Sequence, residues 1–430
     1  IRDNFCISMK KSEVVVVGAG VAGLTSAAIL SKLGLSVTLI ESHNQSGGCA
    51  GTFKRKQYIF DVGATQVAGL EKGGIHSKIF DFLDIEPPEA TILDPACIVD
   101  LRDGSKPIHI WYQNDEWIAE REMQFPGSSK FWQLCTLIHK SNWIFANNNP
   151  VMPISNFWDF SQFIKALVPT NLISGLLLKS TVFDLLRLCK LSSDERLIKF
   201  LNLQLKLYSQ EDVYNTAALY GSTVLQMGQQ PYGLWHLKKS MQSLSESLEE
   251  SLRKTGVNII FGQEVNAITF DNFKKCWKIS AKSKKDSFEY FSNDLIYTAP
   301  PQSLLKNLRE PLKKKQSYKR RLNNLPEPSG ALVFYSALRK EHIKSISSNH
   351  YQFVSEELGS LFVSVSEDGD GRAPIGEVTL IASIFTKTND WFGLDKYKYV
   401  EKKKEYLKKI TYELESQFKI ASESWLHREL

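Results

Sequence analysis

The segment from Val14 to Glu41, VVVVGAGVAGLTSAAILSKLGLSVTLIE, constrains the fold more tightly than any other stretch of the chain. Val14 to Val17 is an apolar β-branched run, the pattern of a central parallel strand covered on both faces. Gly18, Gly20 and Gly23 follow as G-x-G-x-x-G, with Ala19 and Ala22 between them. The first glycine allows a tight turn, the second lets a pyrophosphate reach the backbone, and the third lets helix and strand close together. Small and apolar residues from Gly20 to about Leu33 predict a helix lying on a sheet, and Gly34 predicts its end. Ser36 to Ile40 returns as a strand. Glu41 closes it about twenty residues beyond the glycines, where a carboxylate holds a ribose hydroxyl pair. A basic residue there would have indicated a 2′-phosphate. The segment therefore predicts a dinucleotide-binding βαβ unit. The competing reading is the same unit with a glycine-rich turn and no ligand.

The residues after Glu41 bear on which dinucleotide. A nicotinamide enzyme runs on into another helix–strand repeat. Here the chain reads GGCAGTFKRKQYIFDVGATQ from Gly47 to Gln66. Glycines at 47, 48, 51 and 63 let backbone amides come near a flat ring or a phosphate. An ordinary loop followed by a hairpin is the plainer alternative. This arrangement resembles the flavin-binding segment of the amine oxidase and phytoene desaturase superfamily. The resemblance implies that FAD is held by Gly18, Ala19, Gly20, Ala22, Gly23 and Glu41 at its adenosine end. Gly47, Gly48, Gly63, Ala64 and Thr65 complete the implied site.

With 430 residues, 43% hydrophobic and 23% charged, the chain can bury sizeable cores and is expected to form two domains. The net charge of +6 is modest, and lysines and arginines gather at 313–321 and 402–409. Solvated faces are the plain reading of these runs, and an anionic membrane surface the functional one. No recognised nucleic-acid-binding motif accompanies the charge, so nucleic acid is not an expected partner. The six cysteines, with Cys49 just after the glycine pair, show no CxxC spacing. That suits a reducing cytoplasm and argues against zinc or iron–sulfur ligation. No HExxH, GxSxG or Walker lysine occurs. Met9 is the expected start, and the eight residues before it carry no signal-peptide hydrophobic region.

No segment reads as a membrane span. Ala166 to Leu178 is too short and contains Pro169. It is read as an interfacial or tunnel element. Phe131, Trp132, Trp143, Phe145, Phe157, Trp158, Phe160 and Phe163 precede it and suit a core, an apolar channel or a lipid-facing surface. Further on, Leu237, Met241, Leu244, Leu248 and Leu252 form one helical stripe, predicting a helix from His236 to Lys254 ended by Gly256. Strands are predicted at 257–261, 264–270, 277–280 and 294–300. This block looks like a second contribution to the FAD domain, in which the backbone at Val265 faces the adenine. The expected division is 9–75 with 226–305 for the FAD-binding domain. A substrate domain takes 76–225 with 306–430.

Four motifs narrow the resemblance: GGCAGTF at 47–53, DVGATQVAGLEKGGIH at 61–76, FLNLQLKLYSQ at 200–210 and FVSVSEDGDGRAP at 362–374. Together they resemble carotenoid 3′,4′-desaturases of the cyanobacterial type, in the phytoene desaturase and carotenoid isomerase superfamily. The implied fold is α/β: a Rossmann-type FAD-binding domain with an inserted α+β substrate domain. The implied reaction removes hydrogen from a lipophilic carotenoid by hydride transfer to flavin, in a cytoplasmic enzyme peripherally attached to membrane. Such a substrate has no polar handle, so tunnel walls are expected and no catalytic side chain is assigned. Asp368, Asp370 and Arg372 read as a tight turn. The family pattern also includes a late glycine- and aspartate-containing segment closing over the flavin. The chain stops at WLHREL without it, so the site is expected to lack one wall and to hold FAD weakly or not at all. A cis–trans isomerase using reduced flavin is the alternative. A flavin-free relative of the GDP-dissociation-inhibitor type shares the glycine turn, but the glycine pair with Glu41 and the GATQ segment argue against it, and the long lipophilic insertion argues against an amine oxidase.

Overall fold

The computed structural model describes residues 10–309, 316–325, 329–343 and 346–430. Met9 and residues 313–315 of the first basic run lie outside them. The chain forms two compact units. The first comprises Ile1–Thr91, Trp235–Pro328 and Asp368–Ile375, and the second Ile92–Leu234, Ser329–Glu367 and Gly376–Leu430.

The first unit is built on a six-stranded sheet. Its strands run Asn258–Ile260, Val37–Ile40, Lys10–Val17, Ser287–Tyr297, Cys276–Lys282 and Glu264–Asp271 across the sheet. Lys10–Val17 pairs in parallel with both neighbours. The last three strands form an antiparallel meander. The valine run is buried throughout, and its alternation feeds two cores. Val14 and Val16 pack with Leu24, Ala27, Ala28, Phe80 and Leu248. Val15 and Val17 pack with Ile40, Ile268, Ile279 and Tyr290. A period of two over a strand covered on both sides requires this split.

The predicted helix forms at Val21–Lys32, and Gly34 ends it with φ +91°. The later helix is shorter than expected, Gln242–Lys254 rather than from His236. Leu237 belongs instead to the strand Leu234–Leu237, although it is buried in the same core as Leu244, Leu248 and Leu252. Lys239 adopts φ +68°, and its N–H donates to the Asp370 carbonyl at 2.7 Å, which breaks the helical path. Apolar spacing alone does not register such a break. The first stretch of this unit continues past 75 because the helix Ile75–Leu83 buries Phe80 and Leu83 in the core shared with Leu24 and Ala28. The return of Asp368–Ile375 has no counterpart in the expected division.

The second unit carries a seven-stranded sheet. Its order is Trp425–Glu429, Ser329–Arg339, Glu377–Lys387, Gly359–Val365, His350–Ser355, Cys97–Asp100 and Ile108–Ile110. The helix Lys396–Phe418 buries Ile410, Leu414 and Phe418 against it. Along the second basic run, Lys402 donates to the Asp390 carbonyl, Lys404 pairs with Glu401, and Lys409 with Glu357 and Glu405. Seven helices between Asn114 and Val224 complete the unit. Phe131 and Trp132 are core residues, whereas Phe157, Trp158 and Phe160 are exposed. Among the described residues, no helix is long and apolar enough to cross a membrane.

Candidate functional site

The glycine turn of the first unit is built as its spacing predicts. Gly18 sits at φ +101°, a region that L side chains rarely adopt. Gly23 packs so closely that an added Cβ would fall 1.9 Å from the Gly18 carbonyl oxygen. Around Gly20 the space where a Cβ would project is open, with nothing within 4 Å. Gly20 is also the N-cap of Val21–Lys32, and among the described residues no side chain caps that helix and no acid lies in its first turn. The first amides of the helix, including those of Ala22 and Gly23, have no intrahelical acceptor. With the positive end of the helix dipole behind them, they form a cradle for an anion.

Glu41 lies at the far lip of this turn. Its carboxylate accepts the Ala19 N–H at 2.6 Å, the His43 N–H at 2.8 Å and the Ser42 hydroxyl at 3.0 Å. The acid is therefore held in place before any ligand arrives. The second glycine segment is pinned to the first: the Gly47 N–H donates to the Ala19 carbonyl at 2.8 Å, and Gly48 lies against Gly20. Residues 61–65 are tied in turn to this segment. The Val62 N–H donates to the Gly51 carbonyl at 3.0 Å and the Ala64 N–H to the Cys49 carbonyl at 3.2 Å. Gly63 lies close to the same Cys49 carbonyl, and Thr65 is buried. Val265 is the second residue of the edge strand, and the Gln263 N–H two residues earlier donates to the Glu41 carbonyl at 3.0 Å. The Val265 carbonyl accepts the Asn307 side chain at 2.9 Å.

Two parts of the site carry no local signal. Thr298, at the end of the return strand, donates its hydroxyl to the Val17 carbonyl at 2.9 Å and fixes the glycine turn from below. The second part is a buried ionic cluster of Asp61, His236, Asp370 and Arg372, each less than a tenth exposed. The Arg372 guanidinium reaches Asp61 Oδ2 at 3.1 Å, Asp370 Oδ2 at 2.8 Å and the Leu237 carbonyl at 2.9 Å. His236 Nε2 meets Asp370 Oδ2 at 3.0 Å. Asp61 Oδ1 accepts the Met241 N–H at 2.8 Å and so caps the helix that starts at Gln242. Gln242 in turn donates to the Ser46 carbonyl at 3.1 Å, bracing the second glycine segment. Gly369 and Gly371 do form the tight turn read in the sequence, but that turn exists to present Asp370 and Arg372 inward. Burial pushes the Asp61 carboxyl above its usual range against the pull of Arg372. Burial also acts on Asp370, yet the His236 hydrogen bond and the Arg372 charge outweigh it and hold that carboxyl below its usual range.

Residues 16–84 match the family model of the NAD(P)-binding Rossmann-like domain. The fold and the cradle thus define a Rossmann-type dinucleotide fold carrying a second, mixed α/β unit. Along most of its length the chain is similar to two curated enzymes. One is 4,4′-diapolycopene oxygenase of Methylomonas sp, 23% identical, covering 86% of this chain and 74% of the relative. Another is the chloroplastic prolycopene isomerase of Arabidopsis thaliana, 24% identical, covering 94% and 68%. Among solved structures, the PF1083 protein from Pyrococcus furiosus superposes with TM-score 0.65 at 16% identity, covering 98% of this chain and 87% of that one. A putrescine oxidase structure gives TM-score 0.57 at 15% identity, covering 91% and 79%. At these identities the structural likeness shows the fold.

Proposed function

We propose that this chain is an FAD-dependent oxidoreductase acting on a long polyene, and that it removes hydrogen from a carotenoid end region in the 3′,4′ manner. The observation that carries the reading is the cradle itself. Open space over Gly20 at an uncapped helix start faces a preset carboxylate at Glu41, and a second glycine segment is locked beside it. This donor set suits a pyrophosphate flanked by ribose. The amides of Ala22 and Gly23 would hold the phosphates, and Glu41 the ribose hydroxyls. The backbone at Val265 would meet the adenine, while Gly47, Gly48, Gly63, Ala64 and Thr65 would line the approach to the ring. When bound, oxidised flavin supplies the hydride acceptor. The ionic cluster keeps the supporting segments in register, and none of its side chains is assigned to the reaction.

A second reading, cis–trans isomerisation, is favoured by the similarity to prolycopene isomerase over 94% of this chain. The two part on product mass. Co-expression in a carotenoid-accumulating bacterium tests both, using this chain and a version extended at its C-terminus by the corresponding segment of that relative. A red-shifted pigment two hydrogens lighter is the expected result. A geometric isomer of unchanged mass would transfer the assignment to the isomerase. Unchanged pigments from both versions would remove the substrate assignment.

The partner surface we propose is an anionic bilayer on the cytoplasmic side. Phe157, Trp158, Phe160 and Ile164 stand exposed on the helix Phe157–Ala166, followed by exposed Leu167, Leu172, Leu176 and Leu178. Lys165 lies within this run and Lys179 follows it. Exposed apolar stripes with basic neighbours suit the headgroup boundary, where a lipophilic substrate resides. Co-sedimentation with phosphatidylglycerol vesicles, lost in a Phe157→Ser/Trp158→Ser variant, is the expected outcome. Equal binding by the variant would overturn it.

A further inference from the structure

The helical part of the second unit contains a cavity of about 480 Å³ between the helices Asn114–Gln124 and Ser129–Asn147 and residues 226–232. It is unusual in what its walls leave unsatisfied. Trp117 Nε1, both ring nitrogens of His139, Gln226 Nε2 and Gln229 Oε1 are enclosed without a hydrogen-bond partner among the described residues. All four side chains are at least nine-tenths buried. Buried polar atoms are ordinarily paired, so several orphans facing one cavity mark a place where a ligand supplies the partners.

Arg121 lines the same cavity. Its guanidinium carbon lies 5.4 Å from the Trp117 ring centre and 5.1 Å from that of Trp132. Among the described residues it makes no ion pair or hydrogen bond, unlike Arg102, Arg196 and Arg372. A cation held by aromatic faces but lacking a carboxylate keeps its full donor fork available. Burial holds it at about 10, below the usual arginine range, so an incoming anion relieves a real desolvation. Burial and Lys140 lower His139 to about 4, leaving it neutral at physiological pH with one donor and one acceptor. Its ring stands edge-on to Tyr232 at 4.5 Å. Thr136 donates to Gln226 Oε1 at 3.0 Å, which turns the Gln226 amide nitrogen towards the cavity.

We propose that this cavity is a second ligand site, separate from the dinucleotide cradle, for a carboxylate borne on an apolar chain. Arg121 and the Trp117 indole N–H receive the carboxylate, with Gln226 as a further donor. Exposed Glu122 and Lys140 also line the cavity and offset one another, so the Arg121 guanidinium leaves a net single positive charge that matches a monoanion rather than a phosphate dianion, and its planar fork matches a carboxylate. Trp117, Ile118, Trp132 and Tyr232 supply the apolar walls. His139 lies two helical turns beyond Trp132, about 10 Å along the same axis, so the site has length for a chain as well as a head. A saturated fatty acid and a carboxylate-ended polyene share this chemistry.

The inference does not rest on the flavin reading, and its test is direct binding. Decanoate, decanol and a conjugated ten-carbon polyenoate are titrated into the purified full chain at neutral pH by calorimetry. Saturable binding of decanoate, with decanol weaker by roughly tenfold or more, is expected. Arg121→Gln is expected to lose about the same factor and Arg121→Lys part of it. Trp117→Phe keeps the ring over which the guanidinium lies and removes only the N–H, so it reports on the site even if Arg121→Gln folds poorly. A several-fold weakening is expected there. A tighter polyenoate would identify the polyene acid as occupant, and a tighter decanoate the saturated one. No saturable binding, equal binding of acid and alcohol, or full affinity in a folded Arg121→Gln chain would each overturn the proposal.

Discussion

The glycine turn and the ionic cluster lie in the same unit and support the same cradle, yet they are made in opposite ways. The turn is contiguous, uncharged and built from backbone atoms. Its parts are missing side chains: φ +101° at Gly18, no room for a Cβ at Gly23, open space at Gly20. The cluster gathers Asp61, His236, Asp370 and Arg372 from three stretches of chain and works entirely through side-chain charge. The turn is a local solution in which each residue depends on neighbours a few positions away. The cluster is a global one, in which removal of a single member strands the others in a low-dielectric interior.

The sharpest way to break this contrast is Arg372→Met. It removes the buried cation that faces both Asp61 and Asp370, and a loss of about 3–5 kcal/mol is expected in urea unfolding. A loss below 1 kcal/mol would mean that the cluster is solvated. Gly23→Ala follows, at about 3 kcal/mol, because the new methyl meets backbone rather than a movable side chain. Thermal denaturation is the check, and an unchanged midpoint would show that the helix can slide away from the turn.

Asp370→Asn is expected to cost about 2 kcal/mol at neutral pH. Its pH dependence has a definite sign. The folded-state carboxyl is held below its ordinary 3.8, so its stabilisation is complete above that value and is lost as pH falls through the lowered one. The variant should therefore show a flatter acid limb, whereas Asp61 works in the reverse sense because its carboxyl is raised. An identical acid limb in Asp370→Asn would sink this account. The smallest stability effect belongs to Gly20→Ala. Its φ of −69° suits any residue and its surroundings are open, so stability should stay within about 0.5 kcal/mol. Affinity for added FAD, followed by flavin fluorescence, should nevertheless fall roughly tenfold. Retained affinity would mean that the pyrophosphate does not pass over Gly20.

Much of the cradle could be read directly. The valine run, the three glycines, the helix ended at Gly34 and the acid at Glu41 all occupy the places their spacing predicts, because each is decided by steric rules acting within a few residues. The helix expected from His236 shows where such reading stops. Its apolar spacing ran unbroken through Leu237 and Met241, but the Lys239–Asp370 hydrogen bond and the Asp61 cap set the true start. Aromatic residues between 131 and 163 could not be sorted by composition, since Trp132 and Trp158 differ only in what packs over them.

By itself, then, the sequence determined the nucleotide-type turn, the parallel strand through it and the alternation that feeds two cores, since backbone sterics and side-chain period need no distant partner. Only the tertiary structure decided that Arg372 returns to Asp61 across more than 300 residues, that Thr298 braces the turn, and that Arg121 faces a cavity beside the rings of Trp117 and Trp132. Charge pairing and cavity walls depend on which residues meet in space, and no local pattern carries that information.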